Sequence, residues 1–146
     1  MAEKTITAAN STYVLAVTGL FPVPIRLEGY SAEAAFMTDA TENTETLMGV
    51  DGHMSAGFVP TMKRQTISLQ ADSPSNDLFE AWHEAMEAVR EVYFANGIIT
   101  LPAINRTYIM TRGVLSSYSP MPEAKKVLQP RSYVITWNNV NPVPVA

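Results

Sequence analysis

Arg64-Gln65-Thr66-Ile67-Ser68-Leu69-Gln70-Ala71-Asp72-Ser73-Pro74-Ser75-Asn76-Asp77 changes its period half-way along, and that change decides the fold. The first eight residues alternate, with Arg64, Thr66, Ser68 and Gln70 on one face and Gln65, Ile67, Leu69 and Ala71 on the other. This predicts a strand with one wet side and one core side. A helix follows. Ser73 is placed to cap it, Pro74 suits a first turn whose N–H groups have no intrahelical partner, and Gly97 lies beyond the end, so the expected span is Pro74–Phe94. At ~100° per residue, Leu78, Trp82, Ala85, Met86, Val89 and Tyr93 form an apolar stripe. Asp77, Glu80, Glu84, Glu87 and Glu91 gather opposite it. Like charges three and four residues apart repel by ~0.2–0.5 kcal/mol per pair, with only Arg90 nearby to relieve them. The acidic face therefore reads either as simple solvation or as a seat for a basic partner.

Outward from this stretch the chain is a series of short β-type runs separated by Gly, Pro, Asn and Asp, the pattern of an all-β sandwich or barrel. Strands are expected near Tyr13–Thr18, Ile25–Gly29, Ala34–Asp39, Glu45–Val50, Phe58–Leu69, Ile98–Pro102, Tyr108–Ser117 and Arg131–Trp137. In Tyr108–Leu115 neither face is plainly polar, which suggests cover on both sides, by the chain's own core and by a neighbouring chain. Pro120, Pro122, Pro130, Pro142 and Pro144 confine the last strands to short or edge positions and suggest an extended tail after Trp137.

The 146 residues make one domain. Only 16% are charged, which is 24 residues where ~25%, or about 36, is ordinary. Assembly surfaces are depleted in Lys, Glu and Asp, so the thin coat of charge favours a subunit covered by partners. The charge is also segregated. Residues 1–60 hold two basic and seven acidic groups, whereas residues 96–146 hold five basic and one acidic, an asymmetry suited to head-to-tail association. Lys63-Arg64 and Lys125-Lys126 are the densest basic sites, too sparse for a nucleic-acid-binding stripe.

Chemistry is scarce. There is no cysteine, which excludes disulfides and thiolate chemistry, and His53 and His83 are the only histidines. Asp51-Gly52-His53 reads as a hairpin turn. His83-Glu84-Ala85-Met86-Glu87 resembles the opening of a zinc-protease helix, but the second histidine is replaced by Glu87. No catalytic residue, metal site or cofactor is expected. The start, Met-Ala-Glu-Lys-Thr-Ile-Thr, lacks a basic region followed by an apolar one, so cytoplasmic synthesis is expected. The longest apolar stretch, Tyr13–Ile25, is broken by Thr18, Gly19 and two prolines, and no membrane partner is expected. Met48, Met54, Met62, Met110 and Met121 are gap fillers of core or interface.

Gly49-Val50-Asp51-Gly52, followed by Thr66 to Asp77 leading into an amphipathic helix, resembles tail tube proteins of contractile-tailed bacteriophages. The match runs by motif from Gly49 to Val92, and elsewhere by element order and length. The resemblance implies a mainly β fold: a two-sheet antiparallel β-sandwich or half-barrel with one flanking α-helix. It also implies hexameric rings of this chain, stacked into a tube that conducts DNA during ejection inside a contractile sheath. Implied partners are further copies, the tail sheath protein, and baseplate and tail terminator proteins at the tube ends. Tape measure protein and transiting DNA would occupy the lumen without sequence-specific binding. The implied location is the virion tail, after assembly in the host cytoplasm.

Residues 38–62 would be an arm reaching the next ring, where Asp39, Glu42, Glu45 and Asp51 meet Lys63, Arg64, Arg106 or Arg112; residues 138–146 would be an extended tail. Asp77, Glu80, Glu84, Glu87 and Glu91 would face the sheath. A bore with basic walls would bind phosphate and stall DNA, so a neutral or acidic lumen is expected. Two other readings are the tube of a phage-derived injection machine, such as a bacteriocin or type VI secretion-like apparatus, and a small β-sandwich enzyme or ligand-binding module. The last needs a concave site with converging polar groups.

Overall fold

A computed structural model describes residues 11–27 and 36–144. The alternating stretch forms a strand, Lys63–Leu69 (β6), that buries Gln65, Ile67 and Leu69. The other strands are β1 (Thr12–Val17), β2 (Phe21–Arg26), β3 (Phe36–Thr38), β4 (Thr44–Met48), β5 (Met54–Phe58), β7 (Ala95–Leu101), β8 (Arg106–Tyr118) and β9 (Arg131–Pro144), with one α-helix among the described residues, α1 (Asn76–Val89). Seven strands form one antiparallel sheet in the order β2-β1-β7-β8-β9-β6-β3, while among the described residues β4 and β5 pair only with each other.

The sheet curls so that side chains from strands near its two ends touch, without closing into a barrel. Tyr13 of β1 donates its hydroxyl to Gln65 Oε1 of β6, and its ring meets Phe36 of β3 edge-on at 5.6 Å between centroids. Gln65 Oε1 also accepts the Trp137 indole N–H at 3.3 Å, and its amide donates to Thr38 Oγ1 at 3.2 Å. A glutamine 1% exposed is tolerated only because both ends of its amide are bonded. The fold is therefore sandwich-like, as expected, but a single curled sheet provides both layers.

The core lies between the curled layers and α1. Leu78, Phe79 and Trp82 of the helix are buried, and Phe79 stacks on Tyr133 at 4.2 Å. The helix is shorter than expected at both ends. Pro74 and Ser75 form the entry turn, where Ser73 Oγ accepts the Ser75 N–H at 3.2 Å instead of capping the helix. Arg90 takes the left-handed conformation (φ 57°) and closes the helix on Met86 O. The Trp82 indole then ties back the following segment by donating to Tyr93 O at 3.0 Å. The buried stripe accordingly includes Phe79 and leaves Val89 exposed.

Several strand boundaries also move, for local reasons. Phe58–Leu69 splits at Val59–Met62, where Pro60 cannot donate to a ladder. β2 begins at Phe21 despite Pro22 and Pro24, because it is an edge strand, where a missing N–H is harmless. The expected residues 28, 29, 34 and 35 lie outside the described residues, as do 145 and 146. Residues 138–144, expected as a tail, continue β9 and pair along β8 from Asn139 opposite Thr111 to Pro144 opposite Arg106. Here β9 has left β6 behind, so Pro142 and Pro144 again sit where one side of the strand is an edge.

The ambiguous faces of Tyr108–Leu115 have a simple cause. Arg112 has φ 51°, and the pairing of β8 with β7 slips between Ala95 and Gly97. The inward residues change from Met110 to Gly113 and Leu115 across this bulge, so both sequence parities contribute to the core.

The junction between β6 and α1 is held by Asn76, whose side-chain amide donates to Gln70 O at 2.9 Å and Ala71 O at 3.2 Å. Its Oδ1 accepts the hydroxyl of Tyr133 at 2.8 Å. Burial pushes the Tyr133 hydroxyl up to about 12, opposed in part by the positive charge of Arg131. A raised acid favours its neutral form in the folded state, so this stabilisation is complete below pH ~10 and is lost as pH approaches 12. Urea titrations between pH 9 and 12 should show stability falling across that window, with a shallower fall in Tyr133→Phe. Equal slopes would contradict the assignment.

Candidate assembly surfaces

Every residue from Met37 to Pro60 is exposed. Most of this segment is the hairpin of β4 and β5, paired from Thr44 opposite Phe58 to Met48 opposite Met54. Its foot is closed by the Val59 N–H on Asn43 O at 2.8 Å. Gly49-Val50-Asp51-Gly52 makes the tip: Gly49 N–H reaches His53 O, Asp51 Oδ1 accepts the His53 N–H at 3.1 Å, and Gly52 holds φ 86°. The motif is thus explained by turn geometry alone.

The hairpin has an apolar face without a core. Register places Met48, Met54, Ala56 and Phe58 together on one side with Thr44 and Thr46, and Glu45 and Leu47 on the other. Phe58 is 73% and Leu47 75% exposed. A lone two-stranded hairpin is marginal in water, and a contiguous exposed apolar patch marks an interaction surface. The acidic groups Asp39, Glu42, Glu45 and Asp51 share this segment, which holds no Lys or Arg.

The basic residues expected to meet them are scattered. Lys63 and Arg64 stand at the foot of the same hairpin, and Lys63 Nζ donates to Thr61 O at 2.9 Å. Arg106 is exposed at the start of β8. Arg112, at the bulge, lays its guanidinium over the Phe94 ring at 4.0 Å. Among the described residues, none of these four forms an ion pair with the acidic segment.

Of the five carboxylates expected on the helix, Asp77, Glu84 and Glu87 are exposed on α1, Glu91 is exposed but lies beyond the helix end set by Arg90, and Glu80 is engaged within the chain. Its Oε1 accepts from Arg131 Nη1 at 2.6 Å, while Arg131 Nη2 donates to Ser119 O at 2.8 Å. Arg131 is 4% exposed. Burial works against its charge, yet the Glu80 hydrogen bond and the nearby Tyr133 and Glu80 keep its pKa raised. Glu80 fastens α1 to β9. His83 stacks on Tyr118 at 4.2 Å and approaches Glu87 at 3.4 Å, and among the described residues no group of three metal-ligating side chains forms. Met86, Glu87, Val92, Leu115 and Tyr118 line an open cleft of about 510 Å³ between α1 and β8. Of the five methionines noted, Met110 is core and Met48, Met54, Met62 and Met121 are exposed.

A further surface was not read from the sequence. The outward positions of β1, β7, β8 and the end of β9 are Thr12, Val14, Ala16, Asn96, Ile98, Thr100, Thr107, Ile109, Thr111, Asn139, Asn141 and Val143. Register aligns them in rows, as in Thr12-Thr100-Thr107-Val143 and Val14-Ile98-Ile109-Asn141. None is ionisable. Arg26, beside Val14, and Arg112 border the face. The period-two pattern was visible in each strand; the alignment of four strands was not.

Comparison with known proteins gives a family. Residues 4–141 match the family described as tail fiber protein gp32. The chain belongs to this family. No curated protein matches it. Among solved structures it is similar to a chain of the 6-fold symmetrised anti-feeding prophage baseplate, with TM-score 0.63 and 9% identity over 99% of both chains. It is also similar to a chain of the PVC contractile injection system sheath-tube complex, with TM-score 0.62 and 14% identity over 99% of this gp32-family chain and 95% of that one. A chain of the anti-feeding prophage tube terminating cap gives TM-score 0.60 at 10% identity, over 99% and 95%. At such identities the likeness is one of fold. The family description names a tail fiber, where the sequence resemblance names the tube.

Proposed function

We propose that this gp32-family protein is a tail tube subunit, forming hexameric rings that stack into a conduit for DNA ejection inside a contractile sheath. The observation that carries the reading is the face of β1, β7, β8 and β9 without a charge. At 16% charged residues, twelve positions would hold about two charges, and outward positions ordinarily more. Between the bordering Arg26 and Arg112, such a wall offers phosphate no cation to pair with. The exposed hairpin supplies the contact between rings, because an interface that does not close on itself generates a filament. One similar chain comes from a sheath-tube complex and another from a 6-fold symmetrised baseplate, settings that support a place in a six-fold, tube-bearing assembly here.

In this reading Asp77, Glu84, Glu87 and Glu91 face the sheath, while Glu80 is held by Arg131. Baseplate and terminator proteins meet the tube ends, and tape measure protein and DNA occupy the bore. The protein is a non-enzymatic part of the tail. The tube of an injection machine is the same assembly with another cargo. A solid tail fiber is the second reading, favoured by the family description. Negative-stain microscopy at high protein concentration separates them: hollow particles of uniform bore are expected, and solid fibres or persistent monomers would contradict the proposal.

A further inference from the structure

We infer that the acidic, apolar hairpin of one copy docks on the basic, apolar loop between β8 and β9 of the next copy. The inference rests on the stacked-ring reading and names its contact. The loop, residues 119–130, exposes Met121, Val127 and Leu128 together with Lys125 and Lys126. It is locally ordered, with the Gln129 N–H on Glu123 O at 2.9 Å and a bridge between Ala124 and Leu128. Lys125 lies 3.9 Å from Glu123, and both are largely exposed, so that pair holds neither group firmly.

The two elements project from opposite ends of the same strand pair. Lys63 opposite Trp137 marks the end from which the hairpin departs, and Leu69 opposite Arg131 marks the end that carries the loop. Seven residues at ~3.3 Å each separate them by about 20 Å. Each copy therefore presents carboxylates with Leu47, Met48, Val50 and Phe58 at one end and lysines with Val127 and Leu128 at the other. Signs and apolar patches are complementary head to tail, and such a contact repeats without closing. Lys63, Arg64 and Arg112 are poorer partners: the first two share the hairpin's own foot, and the third is stacked on Phe94.

The absence of cysteine makes the test direct. Val50→Cys and Val127→Cys proteins are purified separately, mixed under assembly conditions and oxidised. A disulfide requires Cα atoms within ~7 Å, so the mixed dimer should exceed either like-with-like dimer by at least about tenfold. In parallel, Lys125→Glu with Lys126→Glu should abolish growth, and adding Glu42→Lys and Glu45→Lys in the same chain should restore it. Like-with-like dimers predominating, or reversed lysines without effect, would overturn the inference. Hollow tubes lacking the mixed disulfide would sink the contact and leave the tube reading, whereas mixed disulfides in solid fibres would do the opposite.

Discussion

Gly113→Ala is expected to lower the free energy of unfolding by about 1–3 kcal/mol, the usual cost of overpacking a filled core. A Cβ at Gly113 would overlap the ring of Trp137, whose Cη2 also comes so close to Gly97 that a Cβ there would lie 3.2 Å from it. The indole cannot move without loss, since its N–H is bonded to Gln65, which also accepts from Tyr13 across the curl. Displacing Trp137 thus weakens the link that turns one sheet into two layers. Gly57→Ala is the control, because nothing lies within 4 Å of the added carbon. Urea denaturation should show the control within about 0.5 kcal/mol of the parent. Equal losses in the two variants would refute the packing argument.

Replacing Thr44–Phe58 with a short glycine-serine linker should have the opposite signature: unchanged monomer stability and complete loss of assembly. The hairpin gives no residue to the buried core, and the ends of the deleted segment are already adjacent through Asn43 and Val59. Closing so short a gap costs little chain entropy. Reversing Asp39, Glu42 and Glu45 to lysine should likewise block growth while leaving folded subunits or rings. Denaturation and sedimentation measured on the same samples would separate folding from assembly. Normal growth of either variant would remove the hairpin from the contact.

Both expectations show what the sequence could carry. The period-two stretch at Arg64–Ala71 identified β6 and its buried face, including Gln65, because alternation is a property of the strand alone. Helix ends were less legible. Arg90 in the left-handed conformation stops α1 where no glycine advertises a stop, and Trp82 reaches Tyr93 only after the chain has turned. The pairing of β9 beyond Trp137 was hidden by Pro142 and Pro144, which argue against a strand unless one of its sides is known to be free.

The surfaces follow the same division. Acidic residues on the hairpin were legible as composition, but the apolar face of Met48, Met54 and Phe58 exists only once β4 and β5 are in register. Glu80 shared the helical phase of Asp77, Glu84, Glu87 and Glu91, yet its bond to Arg131, 51 residues away, withdraws it from their surface. The face without a charge is a juxtaposition of four strands drawn from opposite ends of the chain. Local pattern supplies each strand; only the sheet supplies the face.

Helical reconstruction of the assembled protein by electron cryomicroscopy tests the central claim most directly. The account predicts a hollow six-fold tube with Thr100, Thr107, Ile109 and Asn141 turned toward the axis. A solid fibre, or a tube in which this face is buried between subunits while charged residues line the bore, would contradict it.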